Sequence, residues 1–209
     1  MTQIIKALNW RYATKKFSTQ KIPQEKLDII LEALRLTPSS LGLQAWKFLI
    51  IENPELRTKL KEVSWNQDQV TDASHLIVLA RPTHITDQDV LKWTHYLAEK
   101  RNMTADSKDR FEQMILNYLK SVDEKEKGIW LDKQLYIALG NLMTSCALEG
   151  IDSCPIEGFD PAAYDKILQL DEVGLKSVVV CPIGYRADDD PYQHEAKVRF
   201  PREDLFLHF

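Results

Sequence analysis

The chain has 209 residues, which suits one large domain or two small ones and is long enough to enclose a sizeable core. With 44% hydrophobic and 28% charged residues it reads as soluble and globular. A formal net charge of -4 argues against nucleic acid as a partner, which wants a basic surface, while leaving room for a basic pocket.

In chain order, "TQIIKALNW" predicts a short opening helix with Ile4, Ile5 and Leu8 on one face. "WRYATKKF" follows, with Arg11, Lys15 and Lys16 close together. Charge density alone leaves two readings open, a solvated helix end or a set of cations holding an anion. "IPQEKLDIILEALRLTPSS" predicts an amphipathic helix, with Pro23 in its first turn and Leu27, Ile30, Leu31 and Leu34 as its apolar stripe. Pro38 disfavours helix at Thr37 and marks its end. "WKFLIIE" at 46–52 predicts a buried strand, and Asn53 caps a helix that opens at Pro54. "HLIVLARP" and "KSVVVCPIG" predict two more buried strands.

Between those strands lie "TDQDVLKWTHYLAEKR" and "SKDRFEQMILNYLKSV", both helical, and then a helix over roughly 129–149. The last is apolar almost all round, from Ile129, Trp130 and Leu131 through Tyr136 and Ile137 to Leu148. Such a helix must be covered on every side. In a chain of this size a second subunit would supply part of the cover, the alternative being a helix wholly internal to a monomer. Gly150 suits its C-terminal cap, and Asp160 with Pro161 opens a further helix. Strands separated by several helices, without a βαβ rhythm, predict a single α+β domain over residues 1–209.

Three cysteines, Cys146, Cys154 and Cys181, form no C-x-x-C pair and are odd in number, which points to a reducing cytoplasm rather than disulfides or structural zinc. The five histidines show no H-E-x-x-H spacing, so no metal site is expected. No apolar run is long enough to span a bilayer, no secretory leader pattern opens the chain, and no membrane partner is expected. G-x-G-x-x-G, P-loop and G-x-S-x-G patterns are absent, which sets aside a Rossmann nucleotide domain and a serine hydrolase. "SCPIEGFDPAAY" is either an ordinary loop or a tight segment in which Gly158 lets backbone approach a planar ligand. "KVRFP" sets Lys197 and Arg199 on one side of an extended segment, where they are either solvated or share an anion.

Taken together, "RYATKKF", "PSSLGLQAWKFLII", "WNQDQVTDASHLIVLA", "PIEGFD" and "KVRFP", in this order and spacing, resemble the FMN-dependent nitroreductase family. The likeness is to its oxygen-insensitive NAD(P)H nitroreductase and flavin reductase branch, and it runs over nearly the whole chain. It implies an α+β nitroreductase-like fold, with a central, mostly antiparallel sheet surrounded by helices, in an intertwined homodimer. Two FMN molecules would lie at the subunit interface, with NADH or NADPH as electron donor and a small electrophile as acceptor.

Residue by residue, the resemblance places Arg11, Lys197 and Arg199 on the FMN phosphate, where guanidinium matches phosphate in bidentate geometry. Lys15 would stand near the flavin N1 and C2 carbonyl as an electrostatic aid to reduction. Tyr12 and Ala13 would add contacts, and Lys16 would stay on the surface. Asn66 would bond the pyrimidine edge. Pro155, Ile156, Glu157 and Gly158 would line one ring face, with the N–H groups of Glu157 and Gly158 towards N5 and O4. Pro38, Ser39 and Ser40 would reach in from the other subunit, and Gln134 would approach the dimethylbenzene end. No side chain is assigned acid–base catalysis.

There are departures. Gln69 stands where the branch often has a second lysine, and Leu41 and Gly42 stand where a polar pair often follows the serines. The helices between 86 and 121, with Phe111 and Tyr118 as lid candidates, match no motif of the family. They leave open a dihydropteridine, enone or halogenated-aromatic reductase on the same scaffold, and an FMN-binding protein without turnover.

Overall fold

The structure, a computed structural model, describes residues 1–209. Its elements run α1 (Gln3–Trp10), α2 (Gln24–Arg35), β1 (Lys47–Ile51), α3 (Pro54–Glu62), α4 (Gln69–Asp72), β2 (His75–Pro82), α5 (Asp87–Arg101), α6 (Ala105–Ser121), α7 (Glu124–Leu148), β3 (Asp152–Ser153), α8 (Pro161–Ile167), β4 (Leu175–Gly184) and α9 (Arg202–Leu205). The four strands form one sheet in the order β1-β2-β4-β3, every pair antiparallel. The α+β expectation stands, and no helix is long and apolar enough to cross a membrane.

The central strands are apolar on both sides because both sides are covered. In β2, Ile77 and Leu79 join a cluster with Leu27, Ile30 and Leu34 of α2 and Leu135, Leu139 and Leu142 of α7. The alternate residues Leu76 and Val78 point the other way, to Leu60 of α3, Val70 of α4, Phe159 and Tyr164. A third, smaller cluster ties α5 to α6 through Val90, Ile115, Leu116 and Leu119. Phe111, half-buried, packs against this cluster. Tyr118 stays 40% exposed and meets Trp130 edge-on at 5.9 Å.

Helix ends follow local chemistry. Asn53 accepts from the Leu56 N–H at 2.9 Å, and Asp160 from Ala163 at 3.1 Å, each just before a proline. Pro23 is itself the residue before α2, with ψ 144°, and not part of the first turn as predicted. α7 begins at Glu124, earlier than predicted, because Asp123 caps a polar first turn that the apolar pattern does not mark. It ends as foreseen. Gly150, at φ +68°, donates to the Ala147 carbonyl at 3.3 Å while Ile151 donates to Cys146 at 2.8 Å, which satisfies the last carbonyls.

Within this chain α7 is covered on one side only. Leu131, Leu135, Ala138, Leu139, Leu142 and Cys146 are buried, while Ile129, Tyr136 and Ile137 stand 43–46% exposed. The expected apolar face of α1 is exposed too, with Ile4, Ile5 and Leu8 uncovered by 39–44%.

Gly184, at the end of β4, has no room for a side chain. A Cβ there would lie 2.9 Å from the Phe17 ring and 2.9 Å from the Ser74 backbone nitrogen. Gly184→Ala is expected to cost about 1–3 kcal/mol by overpacking. Urea unfolding measures it, and an unchanged midpoint with unchanged slope would mean the Phe17 wall yields freely.

Candidate functional site

α1 stops at Trp10 because Arg11 turns extended, at φ -69° and ψ 144°. The chain then runs along the β3 end of the sheet, where Ala13 bridges Ser153 and Phe17 bridges Arg186. Extended backbone alternates its side chains. Tyr12 and Thr14 accordingly meet a largely buried ion pair, as does Trp10 from the end of α1. Asp152 accepts from Arg186 through its backbone N–H at 3.0 Å, Nε at 3.0 Å and Nη2 at 2.6 Å, and from Thr14 Oγ1 at 3.3 Å. The Arg186 guanidinium also lies 4.2 Å from the Trp10 ring centre and 4.5 Å from that of Tyr12. This anchor fixes the strand whose other side chains, Arg11, Ala13 and Lys15, line a cleft.

The second wall comes from the far end of the chain. Asp190, buried, accepts from the N–H groups of Lys15 at 2.8 Å, Lys16 at 2.9 Å and Tyr192 at 2.9 Å. Burial raises its carboxyl, but the N–H donors outweigh that and hold it below the usual range. Residues 192–199 are thereby laid beside residues 9–15, enclosing about 530 Å³. Arg11, Lys15, Lys197 and Arg199 line this cleft, and Glu195 is the one carboxylate among its lining residues.

The cations converge without a matching anion. The Lys197 ammonium donates to the Arg11 carbonyl. Burial, then Arg11 and Arg199, depress its pKa. Arg11 Nε is buried and has no hydrogen-bond partner. A buried guanidinium N–H left unpaired is costly, and an anion with several acceptor oxygens relieves it. Lys16 pairs with Asp189 on the surface as expected. Burial pushes the Tyr12 phenol up to about 12, so it stays a neutral hydroxyl.

Lys15 connects this cleft to the 155–158 loop, its Nζ lying 4.0 Å from Cys154 Sγ. Burial raises the Cys154 thiol and Lys15 only partly opposes it, so the sulfur stays protonated. All three cysteines are unpaired and buried. Ile156 is stitched to Val180 by paired backbone bonds of 2.8 and 3.2 Å. The Gly158 carbonyl accepts from Gln67 Nε2 at 2.8 Å. The close approach expected at Gly158 is made by an indole, since a Cβ there would sit 2.6 Å from the Trp65 ring. Trp65 and Asn66 both have left-handed φ, 53° and 55°, which presents Asn66 to solvent. Gln69 is buried on α4.

Pro38, Ser39 and Ser40 lie elsewhere in this chain, against α7. Gln134 accepts from the Ser40 N–H at 2.8 Å and donates to the Trp130 carbonyl at 3.0 Å. It is buried, with its amide engaged inside its own chain instead of standing open beside the cation cleft. Leu41 and Gly42 continue in left-handed conformation and carry the Leu41 carbonyl to Trp93 Nε1 at 3.2 Å.

Sequence reasoning missed Thr14, Asp152, Arg186 and Asp190, whose roles arise only from contacts across more than 30 residues. It also passed over Trp65 and Tyr136, which sit inside stretches read for other reasons. No group of histidine, cysteine, aspartate and glutamate side chains is arranged to hold a metal ion.

The nitroreductase family model matches residues 8–185. YfkO of Bacillus subtilis, named as a candidate NAD(P)H nitroreductase, is 40% identical over 205 residues, which is 90% of this chain and 90% of its own. A Staphylococcus saprophyticus protein of the same description is 38% identical over 213 residues, covering 97% of this chain and 94% of its own. Among solved structures, a candidate NAD(P)H:FMN oxidoreductase from Staphylococcus epidermidis superposes with a TM-score of 0.85 at 26% identity, covering 100% of this chain and 97% of that one. A candidate nitroreductase from Exiguobacterium sibiricum, solved in complex with FMN, superposes at 0.86 with 24% identity, covering 100% and 98% of the two chains.

Proposed function

The chain belongs to the nitroreductase family, and from that premise we propose that it is an FMN-dependent oxidoreductase, using NADH or NADPH to reduce nitroaromatics, quinones or similar small electrophiles. The observation that carries this reading is the cation cleft, which Arg11, Lys197 and Arg199 line together, with the Nε of Arg11 buried and unpartnered. The donor set suits a phosphate monoester, whose oxygens accept several charge-assisted hydrogen bonds at once.

When bound, FMN supplies the two-electron hydride exchange. The chain's own part is to bind, orient and polarise. Arg11, Lys197 and Arg199 hold the phosphate, and Tyr12 and Ala13 border its entry. Lys15 sets a cation where negative charge collects on reduction. Asn66 meets the pyrimidine edge, and Gln69 lies behind it. Pro155, Ile156, Glu157 and Gly158 form the floor, kept rigid by the Ile156–Val180 pairing. Pro38, Ser39 and Ser40, held on α7 through Gln134, are offered to a second copy. The protein therefore works as a homodimer of a single domain over residues 1–209. The uncovered Ile129, Tyr136 and Ile137 of α7 and Ile4, Ile5 and Leu8 of α1 support that assembly.

Purified protein should be yellow, should bleach anaerobically with NADH or NADPH, and should regain colour when a quinone is added. Donor and acceptor then use one ring face in turn, and initial rates at several donor concentrations should give parallel double-reciprocal lines. Intersecting lines would contradict the shared face. Colourless protein that takes up no FMN would end the flavin reading.

A further inference from the structure

The Tyr136 hydroxyl donates to the Glu157 carboxylate, joining the middle of α7 to the 155–158 loop. Tyr136 otherwise stands on the uncovered apolar face of α7 with Ile129 and Ile137. Burial, and then Glu157 itself, push its phenol up to about 12, so it remains a donor across the working range. The loop is thus pinned at three consecutive residues. Ile156 is held by β4, Glu157 by α7, and Gly158 by Gln67. Glu157 is the one charged side chain among residues 155–158.

We infer that Tyr136 is a positioning residue for the flavin, holding the Glu157 carboxylate so that the loop stays set and its negative charge is drawn away from the ring. The inference rests on the FMN reading above. A carboxylate beside a ring that gains negative charge on reduction opposes that reduction, and a donor on the carboxylate disperses part of the opposition. Removing the hydroxyl should therefore disfavour reduced FMN, but only while residue 157 carries its charge. A phenol that merely props the loop would act the same way whatever stands at 157.

The test is a double-mutant cycle with Tyr136→Phe, Glu157→Gln and the pair, reading the two-electron midpoint potential of bound FMN by equilibrium dye titration. FMN affinity of each apoprotein is measured alongside. In the parent background Tyr136→Phe should shift the reduced-to-oxidised ratio about tenfold towards oxidised, a lowering of about 30 mV. In the Glu157→Gln background the same change should shift it less than about twofold. Equal shifts in both backgrounds, or none in the parent, would overturn the inference. If Tyr136→Phe does not fold, Glu157→Gln alone decides. It should raise the potential, and an unchanged value with FMN fully bound overturns the role of the carboxylate. Failure of the parent apoprotein to bind FMN overturns the flavin reading itself, and this inference with it.

Discussion

Asp152→Ala is expected to lower folding stability by about 3–5 kcal/mol, the usual effect of stripping one partner from a buried ion pair. Asp152 is 3% exposed, and its side chain is the acceptor for Arg186 and for Thr14. Without it the Arg186 guanidinium is left between the Trp10 and Tyr12 rings with no counter-charge, and the Arg186 N–H loses its partner. Asp152→Asn keeps an acceptor oxygen but not the charge, and should fall between the parent and the alanine variant. Urea unfolding gives both values. Trp10 and Tyr12 flank Arg11, so the folded fraction of either variant should also bind FMN more weakly. A loss under about 1 kcal/mol in Asp152→Ala would show that water replaces the carboxylate.

Lys197→Ala and Arg199→Ala should each weaken FMN binding by about 1.5–3 kcal/mol, roughly ten- to a hundredfold in Kd, because each removes a charge-assisted bond to phosphate. The two should not be additive, since both share one anion. Affinity should also fall as pH rises through the Lys197 pKa, which burial, Arg11 and Arg199 hold below its ordinary 10.5 in the free protein. The sign for stability is opposite. Between that depressed value and 10.5 the unfolded chain binds a proton that the folded one does not, so the free protein gains stability with rising pH there. The FMN complex, which needs the proton on Lys197, does not share that gain. Calorimetric titration at several pH values checks both statements. An affinity indifferent to Lys197→Ala would place the phosphate elsewhere.

The sheet was legible because β2 and β4 are buried on both faces, which forces uninterrupted Val, Ile and Leu runs into the sequence. β3 was not legible, since two residues, Asp152 and Ser153, carry no pattern. α7 was read from its apolar body but not from its polar first turn. Arg11 lies 186 residues before Lys197, with Arg199 two further on, and charge alone left them undecided. The ordered set of motifs joined them, and in the folded chain they line one cleft. Asp190 sits in the run "ADDD", where it looks like a solvated charge. Its burial depends on backbone donors that only the folded chain brings near. Tyr136 was counted as part of an apolar face, and its hydroxyl acquires meaning only once the loop bearing Glu157 is folded against α7.

The central claim, that the Arg11–Lys197–Arg199 cleft holds a phosphate monoester, is tested most directly by titrating flavin-free protein with FMN and with riboflavin, which share a ring and differ by the phosphate. FMN should bind more tightly than riboflavin by about 3 kcal/mol or more, since two or more charge-assisted bonds depend on that group. Arg199→Ala should narrow the gap. Equal affinity for the two flavins would contradict the account.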